Sequence, residues 1–242
     1  MPALIVLPSY NERQNIIGLI DALLALGPAL CVCVVDDSSP DGTGDLVREA
    51  AGERSNWSGR VHLISRSCKD GRGGAVREGL AWGRAQGRFD AYVEMDCDFS
   101  HAPGAVPEGL ALLSAGNAVV LGVRYPGGTI VGWPLGRRTF SFLANTLARV
   151  LIDPSIADYT NGFRFYSPAA IDLLLSRQQR HKGYIYLSET LSLFLREGLR
   201  LAAFPIRFQN RERGVSNTSI REVGAAMRGI LSIAWSHRFG GP

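Results

Sequence analysis

The sequence has few cysteines, and their spacing argues against two kinds of protein. Its 242 residues include Cys31, Cys33, Cys68 and Cys97, with no CxxC pair among them. A zinc site or a disulfide framework is therefore not expected, and the expected compartment is a reducing cytoplasm.

Long apolar runs are also missing. No run approaches the ~20 residues that a helix needs to cross a bilayer, and the first residues lack a charged segment ahead of an apolar one. We therefore expect no signal peptide. Any membrane contact is expected to be peripheral, on the inner face of the membrane.

Strong charge is absent as well. The formal net charge is +4, and Arg far outnumbers Lys. This excess is too small to indicate nucleic-acid binding, but it suits an anionic substrate or an acidic membrane surface.

Several enzyme motifs are not found. A nicotinamide oxidoreductase would carry GxGxxG after its first strand, where this chain has PSYNE at residues 8–12. The glycine-rich segment at 71–74 lacks the GK[ST] of a P-loop, and a tight turn at a helix start explains it equally well. No convincing Ser-His-Asp or Cys-His arrangement is present.

What the sequence does contain is an alternation of buried strands and amphipathic helices. Strands are predicted at 3–7, 30–35, 61–64 and 88–93, and helices at 15–26, 44–51 and 75–86. This order predicts an α/β fold with a Rossmann-like, mostly parallel twisted sheet flanked by helices. In such sheets, ligands bind beyond the carboxyl ends of the strands.

Three polar clusters follow predicted strands: residues 8–12, the pair Asp36-Asp37, and Asp96 with Asp98. Asp37 suits the hydrogen-bond donors of a base or a ribose. Two carboxylates as close as Asp96 and Asp98 repel unless a cation lies between them, and Mg²⁺ or Mn²⁺ prefers such oxygens together with substrate phosphates. A solvated acidic turn is the alternative for this motif taken alone.

The ordered motifs PSYNE, DDSSPDGT, KDGRGGA and EMDCDFSH resemble family-2 inverting glycosyltransferases with a GT-A fold. Among these, the chain is similar to the dolichyl- or polyprenyl-phosphate mannose synthases, and the resemblance extends over nearly its whole length. It implies a nucleotide-sugar donor, usually GDP-mannose, and a polyprenyl phosphate acceptor.

The resemblance also implies roles for individual residues. Those expected at the nucleotide sugar are Pro8, Tyr10, Glu12, Asp37, Lys69 and Asp96. Those expected at the metal are Asp96, Asp98 and Ser100, and those expected to be catalytic are Asp98, Arg124 and Arg211.

Arginines are expected to bind the acceptor phosphate, because a guanidinium offers permanent charge and paired donors. The candidates are Arg124, Arg137, Arg138, Arg211 and Arg213, with Arg164 a weaker one. A lipid phosphate is already anionic near neutral pH, so catalysis needs positioning and charge stabilisation more than a strong base. His101 is either a phosphate or metal neighbour or a histidine that fills a hydrogen-bonded loop.

Three residues depart from the family pattern: Arg72, where an apolar residue is usual, Asn161, where a small one is, and Asn217, where a lysine is. These departures leave open another nucleotide sugar or a non-lipid acceptor. A non-catalytic nucleotide-binding module is the alternative from another class.

The expected organisation is a catalytic domain at 1–218 followed by a helix and tail at 219–242. In this last segment Ile220, Val223, Met227, Ile230, Leu231 and Ala234 recur at helical spacing. The helix is expected to lie on the membrane surface or, alternatively, on the core or another subunit.

Overall fold

The fold is built on a seven-stranded sheet. A computed structural model describes residues 1–210 and 220–239, and for 220–227 and 239 it describes the backbone alone. The candidate residues Arg211, Arg213 and Asn217 lie outside the described residues. The strands are β1 (Ala3–Ser9), β2 (Leu30–Asp36), β3 (Val61–Ser65), β4 (Ala91–Glu94), β5 (Val119–Val123), β6 (Thr129–Val131), β7 (Arg164–Tyr166), β8 (Leu201–Pro205) and β9 (Arg207–Gln209).

The helices lie between these strands. They are α1 (Ile16–Leu24), α2 (Thr43–Glu53), α3 (Arg72–Ala85), α4 (Val106–Ser114), α5 (Leu135–Leu151), α6 (Pro168–Ser176), α7 (Tyr186–Arg196) and α8 (Ile220–Phe239). The sheet order is β3-β2-β1-β4-β7-β5-β8, and β6 pairs with β9 in a separate two-stranded sheet. Within the large sheet β7 alone is antiparallel to its neighbours. The predicted α/β fold with a mostly parallel sheet is confirmed.

Each face of the sheet is covered by its own layer of helices. In β1 the side chains of Ala3, Ile5 and Leu7 belong to one hydrophobic cluster with residues of α1, α2 and α4. Leu4 and Val6 point the other way and belong to a second cluster with residues of α3, α6 and α7. This alternation follows from the two-residue period of a strand, and it explains why the predicted strands are apolar at every position.

The glycine-rich helix begins earlier than the sequence pattern indicated, at Arg72 instead of Ala75. Gly71 precedes it with φ +83°, and a Cβ at Gly71 would collide with the carbonyl of Lys182. The amide of Gly73 donates to that same carbonyl over 2.8 Å. Close approach of the 177–183 loop is therefore one physical reason for these glycines.

Helix α8 packs against α7 and α5. Its buried side chains include Ile230, Ile233 and Ala234, whereas Leu231 is 56% exposed and Trp235 69% exposed. Ile230 and Leu231 were both counted among the apolar residues at helical spacing, and the structure buries the first and exposes the second because adjacent helix positions point in different directions. Whether this helix lies on a membrane surface stays a prediction. The division of the chain at residue 218 stays a prediction. Among the helices that the structure describes, none combines the length and apolar character that crossing a membrane requires.

Candidate active site

Three loops meet at the carboxyl ends of neighbouring strands β2, β1 and β4. The thiol of Cys97 donates to the carbonyl of Pro8 over 3.2 Å, which joins the loop after β4 to the end of β1. The backbone amide of Asp37 donates to the backbone carbonyl of Ser9 over 3.0 Å and joins the end of β2 to β1. The expected convergence of these clusters at one edge therefore follows from the strand order.

Backbone strain is concentrated in the same three loops. The three non-glycine residues of the described chain with positive φ are Asn11 at 61°, Ser38 at 53° and Phe99 at 59°. Each directly follows a predicted site residue: Tyr10, Asp37 or Asp98. Left-handed backbone at a non-glycine residue costs about 1–3 kcal/mol and is frequent at functional sites. The strain therefore supports these loops as the site.

Hydrogen bonds hold the loop after β1 against the loop after β2. The amide of Glu12 donates to the Thr43 hydroxyl over 3.0 Å, and the amide of Asn11 donates to the Ser39 hydroxyl over 3.0 Å. The carboxylate of Glu12 accepts from the side-chain amide of Asn15 over 2.9 Å. Glu12 is thus fixed at both its backbone and its side chain.

On the nucleotide side, the structure brings Tyr10 and Lys69 together. The Lys69 ammonium lies 3.8 Å from the centroid of the Tyr10 ring. The side chain of Asp37 is 6% exposed and pairs with the guanidinium of Arg66. Burial raises the pKa of Asp37 above its ordinary 3.8, although the Arg66 charge acts in the opposite direction. Arg66 was missed in the sequence because no short motif marks it.

The metal candidates lie just beyond β4. Asp98 is 8% exposed, and its Oδ1 accepts from the amide of Ser100 over 3.1 Å. The Ser100 hydroxyl is buried without a hydrogen-bond partner. No group of three or more His, Cys, Asp or Glu side chains that could hold a metal occurs in the described residues. Two carboxylates with a hydroxyl, completed by substrate phosphates, nevertheless form an oxygen set that fits Mg²⁺ or Mn²⁺.

His101 fills a buried, hydrogen-bonded loop, which was one of the two readings of the sequence. Its Nδ1 accepts from the backbone amide of Asp96 over 3.2 Å, so its Nε2 carries the proton and donates to Asn161 Oδ1 over 2.9 Å. Burial lowers the pKa of His101 below its ordinary 6.5. Asn161 in turn donates to the carbonyl of Gly122 over 2.6 Å. The departure at Asn161 thus has a structural reason, because its amide joins this loop to β5.

Arg72, the departure between the glycines, lies at the acidic cluster. Its Nη2 is 2.7 Å from Oδ1 of Asp96 and its Nε is 2.9 Å from the same oxygen. Its Nη1 pairs with Glu94 and donates to the Tyr186 hydroxyl. Burial by itself would lower the pKa of Arg72, but the charges of Asp96 and Glu94 raise it above its ordinary value. From the sequence, a metal is the cation expected at Asp96, whereas the chain itself also provides one in Arg72.

Arg124, the first candidate for the acceptor phosphate, is 5% exposed and forms a buried ion pair. Its Nε and Nη2 donate to the two carboxylate oxygens of Asp158 over 2.8 and 2.9 Å. Burial alone would raise the pKa of Asp158, but the charge and hydrogen bonds of Arg124 lower it below 3.8. Arg164 is fully buried and donates to the carbonyls of Tyr159, Asn161 and Leu187. The observed contacts of Arg164 are thus structural, and its weaker candidacy as an acceptor residue stays a prediction.

Trp133 joins two of the candidate arginines. The guanidinium carbon of Arg137 lies 4.2 Å from the centroid of a Trp133 ring, and that of Arg124 lies 5.6 Å from it. Arg138 is exposed on the first turn of α5. Arg211 and Arg213, which fall in the undescribed segment, stay predictions.

A mostly parallel sheet with two aspartates beyond its fourth strand has the GT-A glycosyltransferase architecture. Residues 4–175 match Glycosyl transferase family 2, and the chain belongs to this family. It is therefore a glycosyltransferase, which disfavours the non-catalytic binding module that the sequence left open. The predicted family and enzyme class are confirmed.

Two curated relatives are similar over nearly the whole chain. One is the polyprenol monophosphomannose synthase of Mycolicibacterium smegmatis, 36% identical over 93% of this chain and 83% of the relative. The other is the undecaprenyl-phosphate mannosyltransferase of Micrococcus luteus, 34% identical over 100% of this chain and 97% of the relative.

Solved structures support the fold. The glucosyl-3-phosphoglycerate synthase of Mycobacterium tuberculosis, in complex with Mn²⁺, UDP and phosphoglyceric acid, aligns with a TM-score of 0.69. It is 23% identical, and the alignment covers 99% of this chain and 79% of that one. At this identity the similarity establishes the GT-A type fold only.

Proposed function

We propose that this glycosyltransferase transfers mannose from GDP-mannose to a polyprenyl phosphate in a reaction that requires Mg²⁺ or Mn²⁺. The observation that carries the proposal is the similarity, over 93% and 100% of the chain, to two relatives named for mannose and a polyprenyl carrier. The site geometry is compatible with this reaction and suggests which residues serve each half of it.

On the donor side, we assign the nucleotide to the loops that carry Pro8, Tyr10, Glu12, Asp37 and Lys69. The Lys69 ammonium beside the Tyr10 ring offers a positive charge to a phosphate and an aromatic face to a base or ribose. The buried carboxylate of Asp37, held by Arg66, offers an acceptor for base or ribose donors.

Asp96, Asp98 and Ser100 would hold the divalent ion. When bound there, such an ion neutralises charge on the departing diphosphate. The Ser100 amide holds Oδ1 of Asp98, and the Arg72 guanidinium holds Oδ1 of Asp96, so both carboxylates start from fixed positions. Fixed placement of charged groups is itself a source of rate enhancement.

On the acceptor side, Arg137 and Arg138 at the start of α5 are the described candidates that reach the surface. Together with Arg211 and Arg213 they would orient the attacking lipid phosphate, whose charge removes the need for a strong base. Burial and full pairing with Asp158 favour an indirect role for Arg124, which shapes the site through Trp133.

We assign the membrane-facing surface to α5 as well as to α8. Four apolar side chains share one exposed stripe of α5 at helical spacing, namely Leu135 at 79%, Phe142 at 52%, Leu143 at 59% and Val150 at 65% exposure. Arg138 and Arg149 lie on the same helix. An apolar stripe accompanied by arginines suits the surface of an anionic bilayer, where a polyprenyl acceptor resides. From the sequence, this role was expected of residues 219–242 alone.

Incubating the purified protein with polyprenyl phosphate and a panel of nucleotide sugars tests the proposal. Transfer from GDP-mannose to lipid is expected with Mn²⁺ or Mg²⁺ and is expected to stop when EDTA is added. Asp98→Asn should lower turnover at least about 100-fold. Asp45→Asn, which makes the same change at a 73% exposed side chain, should leave it unaltered.

Each alternative gives a different result in the same experiment. Transfer from UDP-glucose but not from GDP-mannose would show that the proposed donor is wrong. Transfer to phosphoglyceric acid but not to polyprenyl phosphate would show that the proposed acceptor is wrong. Full activity in EDTA would show that the reaction does not require a metal.

A further inference from the structure

A buried guanidinium bridges two carboxylates at the edge of the candidate active site. Arg72 places Nη2 and Nε at 2.7 and 2.9 Å from Oδ1 of Asp96, and its Nη1 pairs with Glu94. The side chains of Arg72, Glu94 and Asp96 are 9%, 0% and 25% exposed. Asp96 is the most exposed of the three and is also a proposed metal ligand.

Ion pairs and hydrogen bonds around this guanidinium stabilise its charged form. Glu94 accepts from Arg72 through Oε1 and from the Tyr166 hydroxyl through Oε2, the latter over 2.9 Å. The Tyr186 hydroxyl accepts a further N–H of Arg72. A buried charge is stable only with such pairing and hydrogen bonding. The cation is therefore a fixed part of the site.

This arrangement affects any second cation at Asp96. Two positive charges that share one carboxylate repel each other, and the repulsion is strong where burial limits screening by water. Arg72 is thus expected to weaken the attraction of a divalent ion to the two-aspartate site. The negative charge of a donor diphosphate would offset that repulsion.

We propose that Arg72 is a positioning residue that acts through Asp96 and makes metal binding depend on the nucleotide sugar. It holds Asp96 by Oδ1 and keeps the affinity of the nucleotide-free site for a divalent ion low. The metal then binds tightly only together with the donor diphosphate. This inference rests on the proposed metal-dependent function.

The test measures Mn²⁺ binding to the nucleotide-free protein by electron paramagnetic resonance of free Mn²⁺. Arg72→Met alone would leave Glu94 buried without its cation, so the informative variant is Arg72→Met combined with Glu94→Gln. Gln at 94 still accepts from the Tyr166 hydroxyl, and Met fills a similar volume. We expect the double variant to bind Mn²⁺ at least about tenfold more tightly than the native protein.

Two single variants make the inference testable even if the double variant does not fold. Glu94→Gln alone leaves Arg72 facing Asp96 with less compensating charge, so Mn²⁺ affinity should fall about threefold or more. Arg72→Lys keeps a positive charge beside Asp96, so the repulsion of the ion persists and Mn²⁺ affinity should stay within about twofold of native. Adding Asp98→Asn to each protein should abolish the binding, which locates the ion.

Unaltered Mn²⁺ affinity in Glu94→Gln, and in the double variant where it folds, would overturn the inference, because a merely structural Arg72 would change only the unfolding midpoint. No sugar or lipid is present in this measurement. If the native protein transfers mannose but the native and variant proteins bind Mn²⁺ with equal affinity, the inference is refuted and the proposed function stands. If the variants change Mn²⁺ affinity as expected but the native protein transfers no mannose, the proposed substrates are refuted and the role of Arg72 stands.

Discussion

The ammonium of Lys69 lies 3.8 Å from the centroid of the Tyr10 ring, which joins the loop after β1 to the segment before α3. The two residues were expected at the nucleotide site separately, on different motifs. Their contact makes them one unit, because a cation against an aromatic face is stabilised by about 0.5–2 kcal/mol.

The first prediction concerns this unit. Tyr10→Ala removes the ring that orients Lys69 and should raise the KM for the donor about 5- to 30-fold, whereas Tyr10→Phe keeps the ring and should change it less than about twofold. Steady-state kinetics at saturating acceptor provide the measurement. If the two residues act together, the double variant Tyr10→Ala, Lys69→Ala should raise the KM for the donor no more than the more severe single variant does. A KM increase equal to the product of the two single increases would contradict this.

The second prediction concerns the buried pair of Arg124 and Asp158. Asp158→Asn leaves the Arg124 charge buried without its partner and should lower the free energy of unfolding by about 3–5 kcal/mol. Asp172→Asn is a matched control, since Asp172 also receives two N–H groups from one arginine, Arg84, but is 55% exposed. Asp172→Asn should lower the free energy of unfolding, measured by urea denaturation, by less than about 1 kcal/mol. Equal decreases for the two variants would show that burial does not determine the strength of the pair.

The third prediction concerns the pH dependence of stability. The pKa of Asp158 is lower in the folded protein than its ordinary 3.8, so its ionised form favours folding. The stabilisation is complete above about pH 5 and is lost as the pH falls below 3.8 through the folded-state value. Urea denaturation of native protein and Asp158→Asn between pH 3 and 7 should show their difference narrowing on acidification. A constant difference would assign the effect to another group.

The fourth prediction concerns Asn161, which connects His101 to the carbonyl of Gly122. Asn161→Ala leaves the His101 Nε2–H buried without a partner, and it should cost about 1–3 kcal/mol of stability. Because His101 accepts from the backbone amide of Asp96, transfer activity should also fall. Asn117→Ala removes a buried hydrogen bond to Leu112 elsewhere and should lower stability without altering the KM for the donor. If Asn161→Ala keeps native transfer activity, the hydrogen bonds of this loop do not contribute to catalysis.

The fifth prediction concerns the exposed stripe of α5. Phe142→Glu with Leu143→Glu should reduce binding to anionic vesicles at least about tenfold, because two apolar side chains no longer enter the interface. Co-sedimentation with vesicles measures this, and Leu26→Glu, at a 37% exposed leucine after α1, is the control. If the α5 variant sediments with vesicles as well as the native protein does, the stripe of α5 does not bind the membrane, and α8 is the remaining candidate for that role.

The first four strands, the first three helices and the sheet type could be predicted from the sequence, whereas β5 to β9 were not predicted. Runs such as Leu4 to Leu7 and the periodic apolar residues of α1 reflect local geometry, which short-range patterns record. Boundaries were less accurate: α3 begins at Arg72 and not at Ala75, because its start is set by the distant Lys182 carbonyl.

Taken alone, the residue order determined the α/β fold, the family and the edge of the sheet where Tyr10, Asp37, Asp96 and Asp98 gather. Which charges meet there was decided by the tertiary structure. Arg72 with Asp96, Arg66 with Asp37, and Arg124 with Asp158 are pairs between residues 24 to 34 positions apart, counted in the chain. No local period encodes such contacts, since they form only when strands and loops from different parts of the chain pack together.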